Sequence, residues 1–462
     1  MKKRIICLIL ALLSVFAICS CVKSEKKYDY DLSEYLSLPD YKSQVYEIKE
    51  DDIKLAIGAY LMQFAQEYKV KRGDNIQVDI KFYDLLDPEV DARGEEITEL
   101  FMDDLWINRV GVPNTDGTYQ ISSLIEENII GGKIGSGSTI KKLLTLDNTF
   151  VNEKYRGKKV FVDITVTNRI CKEGDVLTAS YTGYYLDSQG NIVKEDGKDK
   201  TFDTSDNSAF YVGSHLAIED FEQGLLGMKI GEEKDIYATF PDDYKNDSKL
   251  AGKKVLFKVK IKSFFVPQTY DDTFVKTYFS SFTTTAEFEA SLRKEQILDK
   301  VYAYISANAQ IFDFPDDEYD ATEKELASIA DIFQSQNSIS LEEYVEKQYG
   351  MTIDQYIKTN MKTEMVLYYL ANLLGTPAIP TETELVAEKE QLVNDYKKQY
   401  MSKDGISESE ALSQANIAVE ALGDSYIYEQ VMYRKIDELL VTQVRTKEIK
   451  SEKTYIFDAQ VK

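Results

Sequence analysis

The chain has 462 residues, long for one hydrophobic core and suited to three domains. Apolar residues at 43% are enough for packed cores, and charged residues at 29% give a solvated surface. A formal net charge of −24 argues against nucleic acid as a partner, because phosphate binding needs a basic face, and against spontaneous adsorption to anionic lipid.

Residues 1–21 read MKKRIICLILALLSVFAICSC. A basic start, an apolar run and small residues before a cysteine make a secretion signal, and a run of about 15 residues is short for a stable span. Ile18-Cys19-Ser20-Cys21 resembles a bacterial lipobox. That resemblance implies cleavage before Cys21, a diacylglyceryl thioether on its sulfur, and anchoring on the extracytoplasmic face of the cell membrane. Cys19 is the poorer candidate, because Ile18 is large for the residue before the cut. An uncleaved anchor and ordinary secretion are the alternatives. Loss of residues 1–20 removes Lys2, Lys3 and Arg4 and no acid, which takes the net charge from −24 to −27. It also removes Cys7 and Cys19, so with Cys21 acylated only Cys171 is left, and no internal disulfide is expected. Cys171 reads as a small buried apolar residue.

Residues 21–49 are expected to be a tether, polar over 22–40 with KSEKK and several tyrosines. Residues 51–68 carry Ile53, Ala56, Ile57, Tyr60, Leu61 and Phe64 on one helical face. From Gly73 the chain repeats itself. GDNIQVDIKFY parallels GDVLTASYTGYY, LIEENIIGGKIGSGSTIKKLLTL parallels DFEQGLLGMKIGEEKDIYATF, and RGKKVFVDITVTNRI parallels AGKKVLFKVKIKSFF. Residues 84–120 read as an insert in the first copy, with Trp106.

In the second copy, strands are predicted over 176–185, 234–240 and 254–264, rich in β-branched and aromatic residues and bounded by Gly, Asp and Pro. A short helix fits between them, with Ile218, Phe221, Leu225 and Leu226 at helical spacing and Gly227 behind. The ordered anchors are GD-x-V, Y-x-G, F-D, I-x-x-F-E-x-G-L-x-G-M-x-x-G-E, F-P, Y, L-x-G-K and F-x-V. This pattern, over about 90 residues, resembles an FKBP-type peptidyl-prolyl isomerase domain, in the version found in the trigger factor family. The resemblance implies a proline pocket lined by Tyr181, Phe202, Asp203, Ile218, Phe221, Tyr244 and Phe257, with Phe221 as its floor. Ser208 stands where small family members carry an aromatic wall, and Ala217 replaces a larger aliphatic residue; both would open the pocket. In the first copy Ile80, Ile125 and Val162 stand for Tyr181, Phe221 and Phe257, and there is no F-D pair, so that copy is read as degenerate and non-catalytic.

After Pro267 the pattern becomes helical. Leu326, Ile329, Ala330 and Phe333 form one stripe, Leu367, Leu370, Ala371 and Leu374 a second, and Met432, Ile436, Leu439 and Leu440 a third. Helix starts are marked by capping boxes at Thr284/Glu287, Thr322/Glu325, Ser340/Glu343, Thr381/Glu384 and Ser407/Glu410. DDTFVKTYF, DFPDDEYDATEKEL and LVTQVRTKEIKSE follow in the order of the trigger factor chaperone domain, which they resemble. That resemblance implies helical arms offering side chains such as Tyr344, Tyr349, Tyr356, Tyr368, Tyr396, Tyr400 and Tyr428 to unfolded chains; for any one tyrosine, packing between helices is the plainer reading. No sequence resembling that family's ribosome-binding domain precedes the repeat, so no ribosome partner is expected.

His215 is the only histidine, which excludes a metal site of several histidines and leaves no Ser-His-Asp or Cys-His mechanism without it. It reads as an exposed loop residue. GGKIGSG at 131–137 lacks the Lys-Ser/Thr of a phosphate loop. No cofactor and no metal is expected. The chain is therefore read as an α+β multidomain protein: a signal peptide at 1–20, a tether at 21–49, a degenerate FKBP-like domain with an N-terminal helix at 50–170, an FKBP-type isomerase domain at 171–266 and an all-α chaperone domain at 267–462. The function implied is an isomerase and chaperone for unfolded, proline-containing exported polypeptides. The alternative is a non-catalytic holdase, or an assembly factor for one envelope partner.

Overall fold

The computed structural model describes residues 28, 30–87, 92–337, 339–402 and 406–458. Residues 1–27, which hold the signal, the lipobox and Cys21, lie outside them. The chain divides into a β-rich unit of residues 50–290 and 450–458 and a helical unit of residues 28–49 and 291–449.

The β-rich unit holds two antiparallel five-stranded sheets. The first comprises β1 (Ile76–Asp87), β2 (Ala92–Glu96), β3 (Met102–Ile107), β4 (Ile140–Thr145) and β5 (Lys159–Arg169), in the order β2-β1-β5-β4 with β3 also pairing β1. The second comprises β6 (Val176–Tyr185), β7 (Thr201–Tyr211), β8 (Glu233–Thr239) and β9 (Lys254–Val266), in the order β7-β6-β9-β8, with the two-residue strand Gln66–Glu67 on β9. Alternation drives both. Ile76, Val78, Ile80 and Phe82 are all fully buried, and so are Leu177 and Ala179, while their polar neighbours face out.

The two sheets repeat one register. Ile80 pairs with Ile164 as Tyr181 pairs with Val259, and Phe82 pairs with Val162 as Gly183 pairs with Phe257. A short helix crosses each, α2 (Ser123–Ile129) and α3 (Glu219–Leu225), following α1 (Glu50–Gln63). The turns after α2 and α3 need glycine: Gly131 and Gly227 have φ of 85° and 81°. Residues 84–120 are not a plain insert. They carry β2 and β3, which take the place of the single strand β7, so that Ile107 lies opposite Ile76 as Phe210 lies opposite Leu177.

A buried charge cluster joins the copies. Arg169, at the end of β5, is 1% exposed and its Nη2 donates to Asp175 Oδ2 at 2.6 Å. Its guanidinium lies 4.0 Å from the ring centre of Tyr68 and 4.4 Å from that of Phe264. Lys172 donates through Nζ to Asp74 Oδ1 at 2.6 Å, and the Tyr68 hydroxyl also donates to Asp74. Burial pushes the Asp175 carboxyl above its ordinary range, with Arg169 opposing. Cys171, 2% exposed, sits beside this cluster, and burial raises its thiol to about 12.

The helical unit is built on α5 (Thr285–Asn308), whose first residues lie in the β-rich unit, with α6 (Asp316–Asn337), α7 (Leu341–Tyr349), α8 (Ile353–Leu374), α9 (Glu382–Met401) and α10 (Glu408–Gln443); α4 (Asp272–Tyr278) precedes them in the β-rich unit. Gly423, with φ of 79°, breaks α10. Val301, Ile305, Ile357, Met365, Leu370, Met432, Ile436 and Leu440 form the fully buried centre. The expected tether is folded from Tyr28 onward. Leu32, Leu36 and Ile48 are fully buried in this core, and Val45–Lys49 pairs in parallel with Arg445–Ile449. Apolar residues spaced among the polar ones anchor it. The helical region also stops short of the chain end, because residues 267–290 and 450–458 belong to the β-rich unit.

Thr284, Ser340, Thr381 and Ser407 each accept from the backbone N–H three residues on. Thr322 does not cap. It lies inside α6 and donates to the Glu318 carbonyl at 2.9 Å, because α6 starts earlier, at Asp316. Thr352 and Gln355 form a complete capping box that the sequence reading missed. Tyr356 and Tyr368 are buried, and Tyr344, Tyr349 and Tyr428 pack against the same core.

Arg169→Met should destabilise the full chain by about 3–5 kcal/mol, because it strands the buried Asp175 charge. Adding Asp175→Asn should recover part of the loss. Urea unfolding followed by circular dichroism measures both.

Candidate active site

Strand β6 turns Leu177, Ala179, Tyr181 and Gly183 to one face, and β9 adds Phe257 and Val259 beside them. Helix α3 crosses this face close to β8: a Cβ on Gly224 would lie 2.4 Å from Ile236. Asp220 on α3 accepts from the Thr239 N–H at 2.9 Å, which fixes the helix against the strand. Phe221 is thereby set over the sheet, with its ring centre 4.9 Å from Phe257 and 6.2 Å from Tyr181.

Six of the seven expected site residues converge here as apolar surface. Phe221 and Phe257 are 3% and 6% exposed and form a floor. Tyr181, Phe202, Ile218 and Tyr244 are half-buried around it. Tyr181 lies 6.0 Å from Phe257, Phe202 lies 5.5 Å from Phe257, and Tyr244 reaches the group through Phe240 at 4.6 Å. Edge-to-face packing prevails, as ring quadrupoles favour. The seventh residue, Asp203, is exposed at the rim and accepts from the Tyr181 hydroxyl at 2.5 Å.

Two members were missed. Phe210 lies 5.9 Å from Tyr181 and 4.8 Å from Phe221, and Phe240 lies 5.9 Å from Phe202. The signal for Phe210 was its position two residues beyond Ser208 on the same strand face. Ser208 itself donates to Ser205 Oγ at 2.8 Å, and Phe210 supplies aromatic surface on that side.

Phe202 lies on Gly183. A Cβ at position 183 would come within 2.4 Å of the Phe202 ring, so any larger residue would push that ring away. The first copy has Phe82 at the same register position. Phe82 is fully buried and lies edge-on to Phe150 at 5.7 Å, so its own side chain takes the space that the Phe202 ring fills over Gly183.

The loop before α3 is held by a buried carboxylate. Glu222, 2% exposed, accepts from the backbone N–H groups of Gly213, His215 and Ala217 at 2.8, 3.3 and 3.0 Å. Glu126 does the same in the first copy, accepting from Gly111 and Ile121 at 2.9 and 3.2 Å. The aligned Ile-Glu and Phe-Glu pairs of the repeat carried this signal. His215 is not the exposed loop residue expected. Its side chain is 20% exposed, its φ is 60°, and it bonds to groups on either side.

Burial, and then the Asp203 carboxylate, raise the Tyr181 phenol to about 12. Tyr181 thus stays a neutral O–H donor through the physiological range. With ¹³C-labelled tyrosine, the Tyr181 Cζ resonance should remain in its neutral position at pH 10.5. Asp203→Ala should move its titration down toward 10, not fully, because burial persists.

Residues 167–262 match the family described as FKBP-type peptidyl-prolyl cis-trans isomerase. The trigger factor of Caldicellulosiruptor bescii is 28% identical over 300 residues, covering 56% of this chain and 61% of that protein. That of Bacillus cytotoxicus is 31% identical over 234 residues, covering 43% and 53%. That of Campylobacter jejuni subsp. jejuni is 37% identical over 134 residues, covering 28% of each. The chain spans between 55% and 61% of the length of the first three curated relatives it matches. A solved structure described as "Promiscuous Substrate Recognition in Folding and Assembly Activities of the Trigger Factor Chaperone" aligns at 15% identity and a TM-score of 0.19, covering 69% of this chain and 82% of that one, a likeness too slight to bear on the fold. The chain thus carries an FKBP-type domain and is similar to trigger factors over about half of its length.

Proposed function

We propose that the second copy isomerises X–Pro bonds in exported polypeptides while the helical unit holds them, the whole being tethered by a lipid on Cys21 outside the cytoplasmic membrane. Rotation about the amide faces a barrier of roughly 18–20 kcal/mol, set by its partial double-bond character. The charge-separated resonance form behind that character is weakened in a dry apolar surround, and a donor aimed at the twisting amide lowers the barrier further. No nucleophile or metal is required. The single observation that carries the reading is the convergence of Tyr181, Phe202, Phe221 and Phe257 into one aromatic cluster, with one neutral phenol at its exposed edge.

The helical unit supports polypeptide holding through its surface. Leu373, Val386, Met401, Leu412 and Ile417 are exposed on its helices, and α9 has no buried residue. A hollow of about 550 Å³ near Phe312, Phe314 and Tyr319 is edged by Asp313, Asp316 and Asp354. Of the expected tyrosines, Tyr344, Tyr349, Tyr356, Tyr368 and Tyr428 pack in the core, while Tyr396 and Tyr400 stack on each other, half-buried, on α9. The lipid anchor rests on residues 1–21 of the sequence alone.

A non-catalytic holdase is the second reading, favoured by Ser208 and by the small Ala217 beside Ile218. Proline-limited refolding of a client separates the two. Phe202→Ala and Gly183→Val should each lower catalysis on the order of tenfold or more, and Asp203→Ala on the order of threefold. Equal refolding rates with wild type, with these variants and with no protein added would leave the holdase. In a bacterial host, radiolabelled palmitate should enter the wild-type chain and not Cys21→Ala; label retained in the variant would remove the anchor from the proposal.

A further inference from the structure

The chain does not end at the strand Arg445–Ile449 but runs on, and residues 454–458 pack back into the β-rich unit. Phe457 is fully buried and Tyr455 is 1% exposed. Phe457 lies against Gly58 of α1, where a Cβ would sit 3.4 Å from its ring, and its ring centre is 6.5 Å from that of Tyr211. Lys54 on α1 pairs with Asp458 at 2.7 Å, and the Tyr455 hydroxyl donates to Asp51 at 2.9 Å. The segment is therefore fixed on the side of α1.

Its other side meets the loop that leads into α3. His215 Nε2 donates to the Thr454 carbonyl at 3.1 Å, and its ring stands edge-on to Tyr455 at 5.2 Å. His215 Nδ1 lies 3.0 Å from Glu219 in the first turn of α3. The His215 backbone has a left-handed φ of 60°, a conformation that a non-glycine residue keeps only where its surroundings hold it. Three residues on, Ile218 caps α3 with an extended backbone and no side-chain bond of its own, and Phe221 follows on the helix. Nothing in the FKBP-type match at 167–262 includes this segment.

We propose that residues 454–458 and His215 act as a strap that positions the loop 213–218 and α3, and with them Ile218 and Phe221. The strap is a set of positioning residues: it acts through the loop 213–218 and limits the motion of α3. The effect on catalysis rests on the isomerase reading above; the positioning does not. A second consequence is that residues 171–266 alone are an incomplete isomerase, since α1 and the strap supply the backing of their loop.

The test uses the full chain with His215→Ala, Phe457→Ala and the conservative His215→Gln, which keeps a donor at similar reach. Hydrogen exchange at the amides of Gly213, His215 and Ala217 should rise about tenfold in the two alanine variants, as a held loop opens locally. Proline-limited refolding should show kcat/KM lowered about three- to tenfold with client affinity unchanged. His215→Gln should restore most of both. His215→Ala keeps the test decisive if Phe457→Ala fails to fold. Exchange and rate both unchanged in folded His215→Ala would overturn the strap. Increased exchange in a protein whose wild type has no isomerase rate would uphold the strap and overturn the isomerase reading.

Discussion

The approach of one ring to one backbone sets the shape of the aromatic cluster in the second copy. Phe202 lies on Gly183 closer than any side chain at 183 would allow. That contact lets the edge strand lay an aromatic ring over the sheet, edge-on to Phe257 at 5.5 Å. The first copy shows the opposite choice at the same register. There Phe82 replaces glycine, and its side chain is fully buried. One fold thus gives a buried, mainly aliphatic core in one copy and a half-buried aromatic cluster in the other.

The shared parts of the copies are those that shape the loops. The buried glutamates Glu126 and Glu222 gather backbone N–H groups ahead of each short helix, and the Gly-Asp turns at 73–74 and 174–175 begin each sheet. The aromatic set belongs to the second copy alone. Loop geometry is needed wherever the fold is built, whereas the side chains on the sheet face are free to differ between copies. The charge cluster between the copies, centred on Arg169, makes them one body.

Much of this was legible in the residues. Period-two alternation gave the strands, and the parallel between the copies predicted a register that holds pair by pair, from Ile80 to Gly183. The six apolar site residues could be named because they belong to an ordered pattern. What escaped reading was set by distance along the chain. Residues 28–49 looked polar and short of structure because their partners, including Ile305 and Ile436, come hundreds of positions later. The interval 84–120 looked like an insert because a strand split by a 3₁₀ turn at Thr98–Leu100 lost its continuous alternation. Thr322 carried a capping signal inside a helix that had already begun at Asp316. His215 looked exposed because Thr454 and Tyr455, which cover it, cannot be placed from local pattern. The helical tyrosines fit either a display or a packing role, and tertiary burial chose packing for most of them.

The aromatic face of Tyr181, Phe202 and Phe257 is where we propose an X–Pro peptide binds, whereas Phe82 and Phe150 of the first copy are fully buried. Titration of the full chain with a short X–Pro peptide, followed by aromatic side-chain NMR, reads both sets of rings at once. The resonances of Tyr181, Phe202 and Phe257 should shift while those of Phe82 and Phe150 stay fixed. Shifts at both sets alike, or at neither, would refute binding at the second copy.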